Sequence, residues 1–139
     1  MNTTKITVQA LIKADIRKVW DYYTKPEHIT KWNFAIDTWH CPSASNDLRV
    51  GGKYVARMEA KDSSFGFDFE GIYNQVTEHK GFTFTMPDNR VVKVTFNDKG
   101  SETEVVVTFD AENQNPIEMQ QQGWQAILNN FKSYVESQP

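Results

Sequence analysis

Apolar residues recur along this chain with two different periods, and the switches between them mark out its elements. From Thr3 to Lys13 the period is two: Ile6, Val8, Ala10 and Ile12 share one face, and Thr7, Gln9, Leu11 and Lys13 the other, which predicts a strand with one buried side. Asp15 then stands as an N-cap before Ile16, Val19, Trp20 and Tyr23, whose spacing is that of one helical face. Lys25-Pro26 interrupts this helix, and Pro26 suits the first turn of a second short helix running to about Lys31.

Period two returns at Lys53 to Ala60 and again at Phe65 to Thr77, where Phe65, Phe67, Phe69, Gly71 and Tyr73 form an aromatic side opposite Gly66, Asp68, Glu70, Ile72 and Asn74. Gly71 inside that strand marks a bulge or a bend of the sheet. Gly81 to Met86, Arg90 to Phe96 and Glu102 to Asp110 complete a meander, with turns at Pro87-Asp88-Asn89 and Asn97-Asp98-Lys99-Gly100. Strands joined so closely pair antiparallel.

The last stretch, Asn115 to about Val135, carries the broadest helical stripe: Trp124, Ile127, Leu128, Phe131, Tyr134 and Val135, with Gln121, Gln122, Gln125, Asn129, Lys132 and Glu136 opposite. Asn115, Pro116 and Glu118 read as its N-cap, first-turn proline and acidic third position. Between the short helices and the meander the pattern fails. Trp32 to Pro42 is irregular yet rich in apolar area, so it should cover something; Ser43 to Asp47 reads as a polar turn region, and Gly51-Gly52 as a tight bend. The expected fold class is α+β: a curved antiparallel sheet of about six or seven strands around a long C-terminal helix, with two short helices after strand one.

Composition narrows the functional classes. A length of 139 residues suits one domain, taken as 1–139, that buries about two-thirds of its unfolded surface. The net charge of -3 and a pI near 5.6, without a block of Lys and Arg, argue against nucleic acid as a partner. The alternating start is not a signal peptide, and no run approaches the roughly 20 apolar residues of a membrane span. A cytoplasmic location is expected, with which the lone Cys41 is compatible. Aromatic residues make up 13% of the chain, enough to fill a large core or to line an apolar cavity.

Catalytic signatures are absent from the pattern. His28, His40 and His79 lack metal-ligand spacing, so neither metal nor cofactor is expected; His28 and His79 read as solvated, and His40, beside Trp39 in the apolar loop, either as a satisfied or exposed histidine or as a residue of a cleft mouth. No serine sits in a nucleophile turn, and Cys41 before Pro42 reads as an inert apolar thiol. The acid–base candidates Glu59, Asp68 and Glu70, with Arg49 and Arg57 as anchors, fall by alternation mainly on the face opposite the aromatic one and read as a solvated row of charges. No catalytic residue is assigned. The binding candidates are Trp32, Trp39, His40, Tyr54, Met58, Phe67, Phe69, Tyr73, Phe84 and Trp124, and their aromatic stripe serves equally well as ordinary core.

Val19-Trp20, Thr24-Lys25-Pro26-Glu27-His28, Lys31-Trp32, Asp47-Leu48-Arg49-Val50-Gly51-Gly52, Phe69-Glu70-Gly71-Ile72-Tyr73 and Gly123-Trp124, in that order and at those separations, resemble the Activator of Hsp90 ATPase homologue 1-like family. That family lies within the START-like (SRPBCC, Bet v 1-like) helix-grip superfamily. The resemblance covers nearly the whole chain; Asp15 stands where many relatives have proline, and the Asp62-Ser63 turn lacks a frequent glycine. It implies a cleft between sheet and C-terminal helix that holds an apolar or aromatic small molecule. Three functions follow from it: binding of a hydrophobic ligand, a cyclase- or aromatase-like enzyme acting on one, and a co-chaperone or stress-response module with a chaperone partner. The third ranks last, because eukaryotic activators carry an additional N-terminal domain. Ligand identity and oligomeric state stay open.

Overall fold

Alternation of buried and exposed residues runs through most of seven strands, and the buried side of the sheet is covered by one long helix together with two short ones. The computed structural model describes residues 4–138. In chain order the elements are β1 (Lys5–Ile12), α1 (Ile16–Thr24), α2 (Pro26–Trp32), β2 (Trp39–Asn46), β3 (Lys53–Ala60), β4 (Gly66–Thr77), β5 (Gly81–Thr85), β6 (Val91–Asp98), β7 (Thr103–Asp110) and α3 (Ile117–Ser137). The strands form one antiparallel sheet in the order β1-β7-β6-β5-β4-β3-β2, curled into a half-barrel around α3. Thr3, the expected start of the first strand, lies outside the described residues.

Local chemistry places the short helices as the sequence predicts. The Asp15 carboxylate accepts from the Lys18 amide at 2.9 Å, and Pro26 occupies the first turn of α2. Helix α3 starts differently from the expectation. Asn115 does not cap it; its backbone amide and side chain both donate to the Glu112 carboxylate. Buried Gln120 closes the junction instead, accepting from the Glu112 amide at 3.0 Å and donating to the carbonyls of Glu112 and Asn115 at 3.0 and 2.8 Å. One amide side chain thus ties the β7–α3 connection to the first turn of the helix.

The expected turn over 43–47 is a strand. β2 pairs with β3 from Trp39 opposite Ala60 to Asn46 opposite Tyr54, with an irregularity between His40 and Ser43. β2 is an edge strand, and Pro42 falls inside the irregularity, the setting in which a sheet tolerates proline. Small polar residues at Ser43, Ser45 and Asn46 hide the alternation from a pattern reading.

Two glycines are required by close approach. A Cβ on Gly52 would lie 2.0 Å from the Asp47 carbonyl oxygen, and the Gly51-Gly52 bend exchanges backbone bonds with Tyr73 at 2.9 and 3.0 Å. A Cβ on Gly71 would lie 2.3 Å from Cδ1 of Phe84. Gly71 is therefore not a bulge; the β4 irregularity lies further on, between Tyr73 and Gln75.

At the end of β7, Asp110 joins strands as well as charges: it pairs with Lys5 of β1 and accepts from the Val91 amide of β6 at 2.9 Å. Burial works against its ionisation, but Lys5, the Val91 amide and Arg90 hold its carboxyl below the usual carboxylate range. An unfolded aspartate, titrating near about 3.9, takes up the proton first as pH falls. The stabilisation is therefore complete at neutral pH and is lost as pH drops below about 4 and through the folded value. Asp110→Asn is expected to flatten this part of the acid limb in urea unfolding measured from pH 7 to pH 2; an unchanged limb would show that the pairing contributes nothing.

Candidate functional site

The half-barrel is wider than α3 can fill. The helix seats Leu128, Phe131 and Val135, at 3%, 0% and 0% exposure, against β1 and the two short helices. Its N-terminal half reaches across the sheet through Trp124, which stacks on Phe109 of β7 at 3.9 Å and 13° and meets Phe69 of β4 edge-on at 5.7 Å. A cavity of about 180 Å³ remains between these contacts.

Each layer contributes to its wall. α3 supplies Trp124, Ile127 and Leu128, and the helix pair supplies Tyr23 and Trp32, followed by Asn33. From β3 and β4 come Tyr54, Met58, Phe67, Phe69 and Tyr73; from β5, Phe82 and Phe84; and from the remaining strands, valines including Val94 and Val107. The structure thus brings together Trp32, Tyr54, Met58, Phe67, Phe69, Tyr73, Phe84 and Trp124 of the binding candidates. Phe67, 43% exposed, stands at the opening.

Trp39 and His40 are elsewhere. Because 39–46 is an edge strand and not a covering loop, Trp39 packs outside the opening, on Phe65 at 6.0 Å and Phe67 at 6.2 Å. His40 turns to the other face of the sheet, where Nε2 lies 3.9 Å from the Glu59 carboxylate. On that face Arg57 bridges Glu59 at 2.8 Å and Asp68 at 3.3 Å, and Lys53 pairs with Glu70 at 3.1 Å. None of these charged groups lines the cavity.

The other histidines depart from the solvated reading. His28 stacks on Tyr22 at 3.9 Å, and its Nδ1 hydrogen-bonds the Tyr134 hydroxyl at 2.8 Å, fastening α2 to α3. His79 meets the edge of Trp20 at 5.9 Å. Among the described residues no cluster of three His, Cys, Asp or Glu side chains converges on a point that suits a metal.

The polar groups of the cavity are neutral and mostly tyrosyl. Tyr73 donates to Asn46 Oδ1 at 2.7 Å, and Asn46 in turn donates to the Thr24 carbonyl at 2.7 Å, linking β4, β2 and α1. Asn33 Nδ2 donates to the Tyr54 hydroxyl at 3.0 Å. Burial pushes the phenols of Tyr23, Tyr54 and Tyr73 well above the usual tyrosine value, with mutual repulsion adding to the shift at Tyr23 and Tyr54. All three stay protonated through the physiological range. Cys41, buried nearby, is pushed up to about 11 by burial, so its thiol is unreactive at neutral pH. Tyr23 and Asn33 had no signal in the sequence beyond a polar atom on, or just after, an apolar helix face.

A curved antiparallel sheet gripping a C-terminal helix over an aromatic-lined hollow is the helix-grip architecture of START-like proteins. The chain belongs to the family described as Activator of Hsp90 ATPase homolog 1-like protein, whose model matches residues 13–136. It is similar to the AHSA1-like protein from Aeromonas hydrophila, known from a solution NMR structure, at 42% identity and a TM-score of 0.90 over 96% of this chain and 93% of that one. A protein from Cytophaga hutchinsonii, also solved in solution, is 49% identical with a TM-score of 0.83 over 95% and 92% of the two chains. A crystal structure from Chromobacterium violaceum shares the fold at 20% identity, with a TM-score of 0.86 over 97% and 99%. No curated protein matches the chain. No helix among the described residues is long and apolar enough to cross a membrane.

Proposed function

We propose that this protein binds a small hydrophobic or aromatic molecule in the cavity between the sheet and α3. The observation that carries the reading is the cavity itself: about 180 Å³, opening at Phe67 and Trp124, and walled by aromatic and aliphatic side chains. A dry apolar cavity of about 150 Å³ is enough to hold benzene, so one or two rings fit here. Affinity comes from burial at about 25 cal/mol per Å² of apolar surface, and orientation from the few neutral polar groups. The wall offers a ligand shape and neutral hydrogen bonds, the equipment of a receptor or carrier more than of an acid–base enzyme. A cytoplasmic setting accords with the unpaired, buried Cys41.

Trp32 and Trp124 both line the hollow and report on it. Titration with a neutral aromatic probe of one or two rings, toluene or naphthalene, is expected to saturate with a change in tryptophan emission. Ile127→Trp, placed on the partly exposed helix wall, should fill the space and lower probe affinity at least tenfold with unchanged far-ultraviolet circular dichroism. Failure of both probes to bind the wild-type protein would sink the reading. A chaperone contact ranks second; it draws on exposed Phe65 and Phe67, backed by half-buried Trp39, beside the opening, and stimulation of a chaperone ATPase would support it.

A further inference from the structure

One end of this apolar cavity carries hydrogen-bonding atoms that the protein leaves unused. Asn33 and Tyr54 are 7% and 9% exposed, and both line the hollow. Asn33 Nδ2 occupies an acceptor position of the Tyr54 hydroxyl at 3.0 Å, which leaves the Tyr54 proton to be given elsewhere. Among the described residues that proton has no acceptor, Asn33 Oδ1 has no donor, and the Tyr23 hydroxyl has no partner at all. Yet among the described residues no side-chain nitrogen or oxygen sealed from solvent lacks a partner. The unpaired Asn33 and Tyr23 oxygens are therefore accessible, and both residues form the cavity wall.

We infer that the buried end of the cavity receives an uncharged hydroxyl of the ligand, which makes the ligand class phenols and small aromatic alcohols. This inference rests on the binding function proposed above and specifies its chemistry. A hydroxyl both donates and accepts, so it takes the proton offered by Tyr54 or Tyr23 and gives its own to Asn33 Oδ1. A hydrocarbon of the same shape leaves those groups unpaired and displaces any water that served them, and sites built to bond a substrate hydroxyl discriminate strongly against analogues without it. A carboxylate is excluded for a different reason. Tyr54 and Tyr23 could donate to it, but it would shed its hydration into a wall without a cation and leave Asn33 Oδ1, an acceptor, facing an anion.

Three compounds of one shape separate these cases: 2-naphthol, naphthalene and 2-naphthoate, each titrated into the wild-type protein at pH 7 and followed by amide chemical-shift changes. The expected order is 2-naphthol at least tenfold tighter than naphthalene, with no saturation by 2-naphthoate, and shifts mapping to α2, β3 and α3. Tyr54→Phe should bring 2-naphthol down to the affinity of naphthalene. Equal affinity of naphthol and naphthalene for the wild-type protein would overturn the hydroxyl assignment and leave the apolar binding function standing; tight binding of naphthoate would overturn it too. If none of the three binds, the cavity is not a receptor site and both proposals fall.

Discussion

Phe131→Ala is expected to destabilise the protein by about 3–5 kcal/mol, the range for truncating a fully buried phenylalanine. The ring is 0% exposed and stands where three helices meet, edge-on to Tyr23 at 5.0 Å and to Trp32 at 4.9 Å. Both partners also line the cavity, so the void left by truncation lies directly behind its wall. Urea unfolding should show the loss as a lower midpoint with little change in slope. Ligand affinity should fall as well, because Tyr23 and Trp32 lose the surface that fixes their rotamers. A loss below about 1 kcal/mol would mean that the helices close over the gap, which the close packing of protein interiors makes costly.

Gly71→Ala is the second large effect, and its cause is the opposite one, too much matter in place of too little. The new methyl would lie 2.3 Å from the Phe84 ring, which is 4% exposed and surrounded by Tyr54, Phe69, Tyr73 and Phe82. Overpacking of this kind costs about 1–3 kcal/mol. The direction in which Phe84 can yield is the cavity it lines, so the variant should lose binding volume along with stability. Phe84→Leu in the Gly71→Ala background is expected to recover part of both, a coupling that a double-mutant cycle measures directly. Simple additivity of the two substitutions would show that the methyl and the ring do not meet.

How much of this site is legible in the residues can be judged element by element. Asp15, Pro26 and the alternation in β3, β5 and β7 place those elements within a residue or two, because caps, first-turn prolines and half-buried strands are local physics that needs no distant partner. β2 escaped because an edge strand with a proline in its bulge and small polar residues after it makes little use of alternation; its pairing with β3 carries it. The Asn115 cap failed for a related reason. Its hydrogen-bonding groups went to Glu112, and Gln120, a residue without cap character in sequence, took over the junction. Trp39 and His40 show the consequence for the site: once 39–46 is a strand, Trp39 is carried past the opening and His40 to the charged face.

The sequence by itself determined the periods, and with them the elements, the apolar face of each strand and the helical stripe from Trp124 to Val135 that has to be covered. It could not separate wall from core within the aromatic stripe, because a phenylalanine beside a void and one beside another ring have the same neighbours along the chain. That division depends on the radius of the curled sheet against the width of one helix, a property of all seven strands together. The same holds for the unpaired oxygens: Tyr23, Asn33 and Tyr54 come from α1, the end of α2 and β3, and only the docking of the short helices on the sheet puts their hydrogen-bonding groups around a common space.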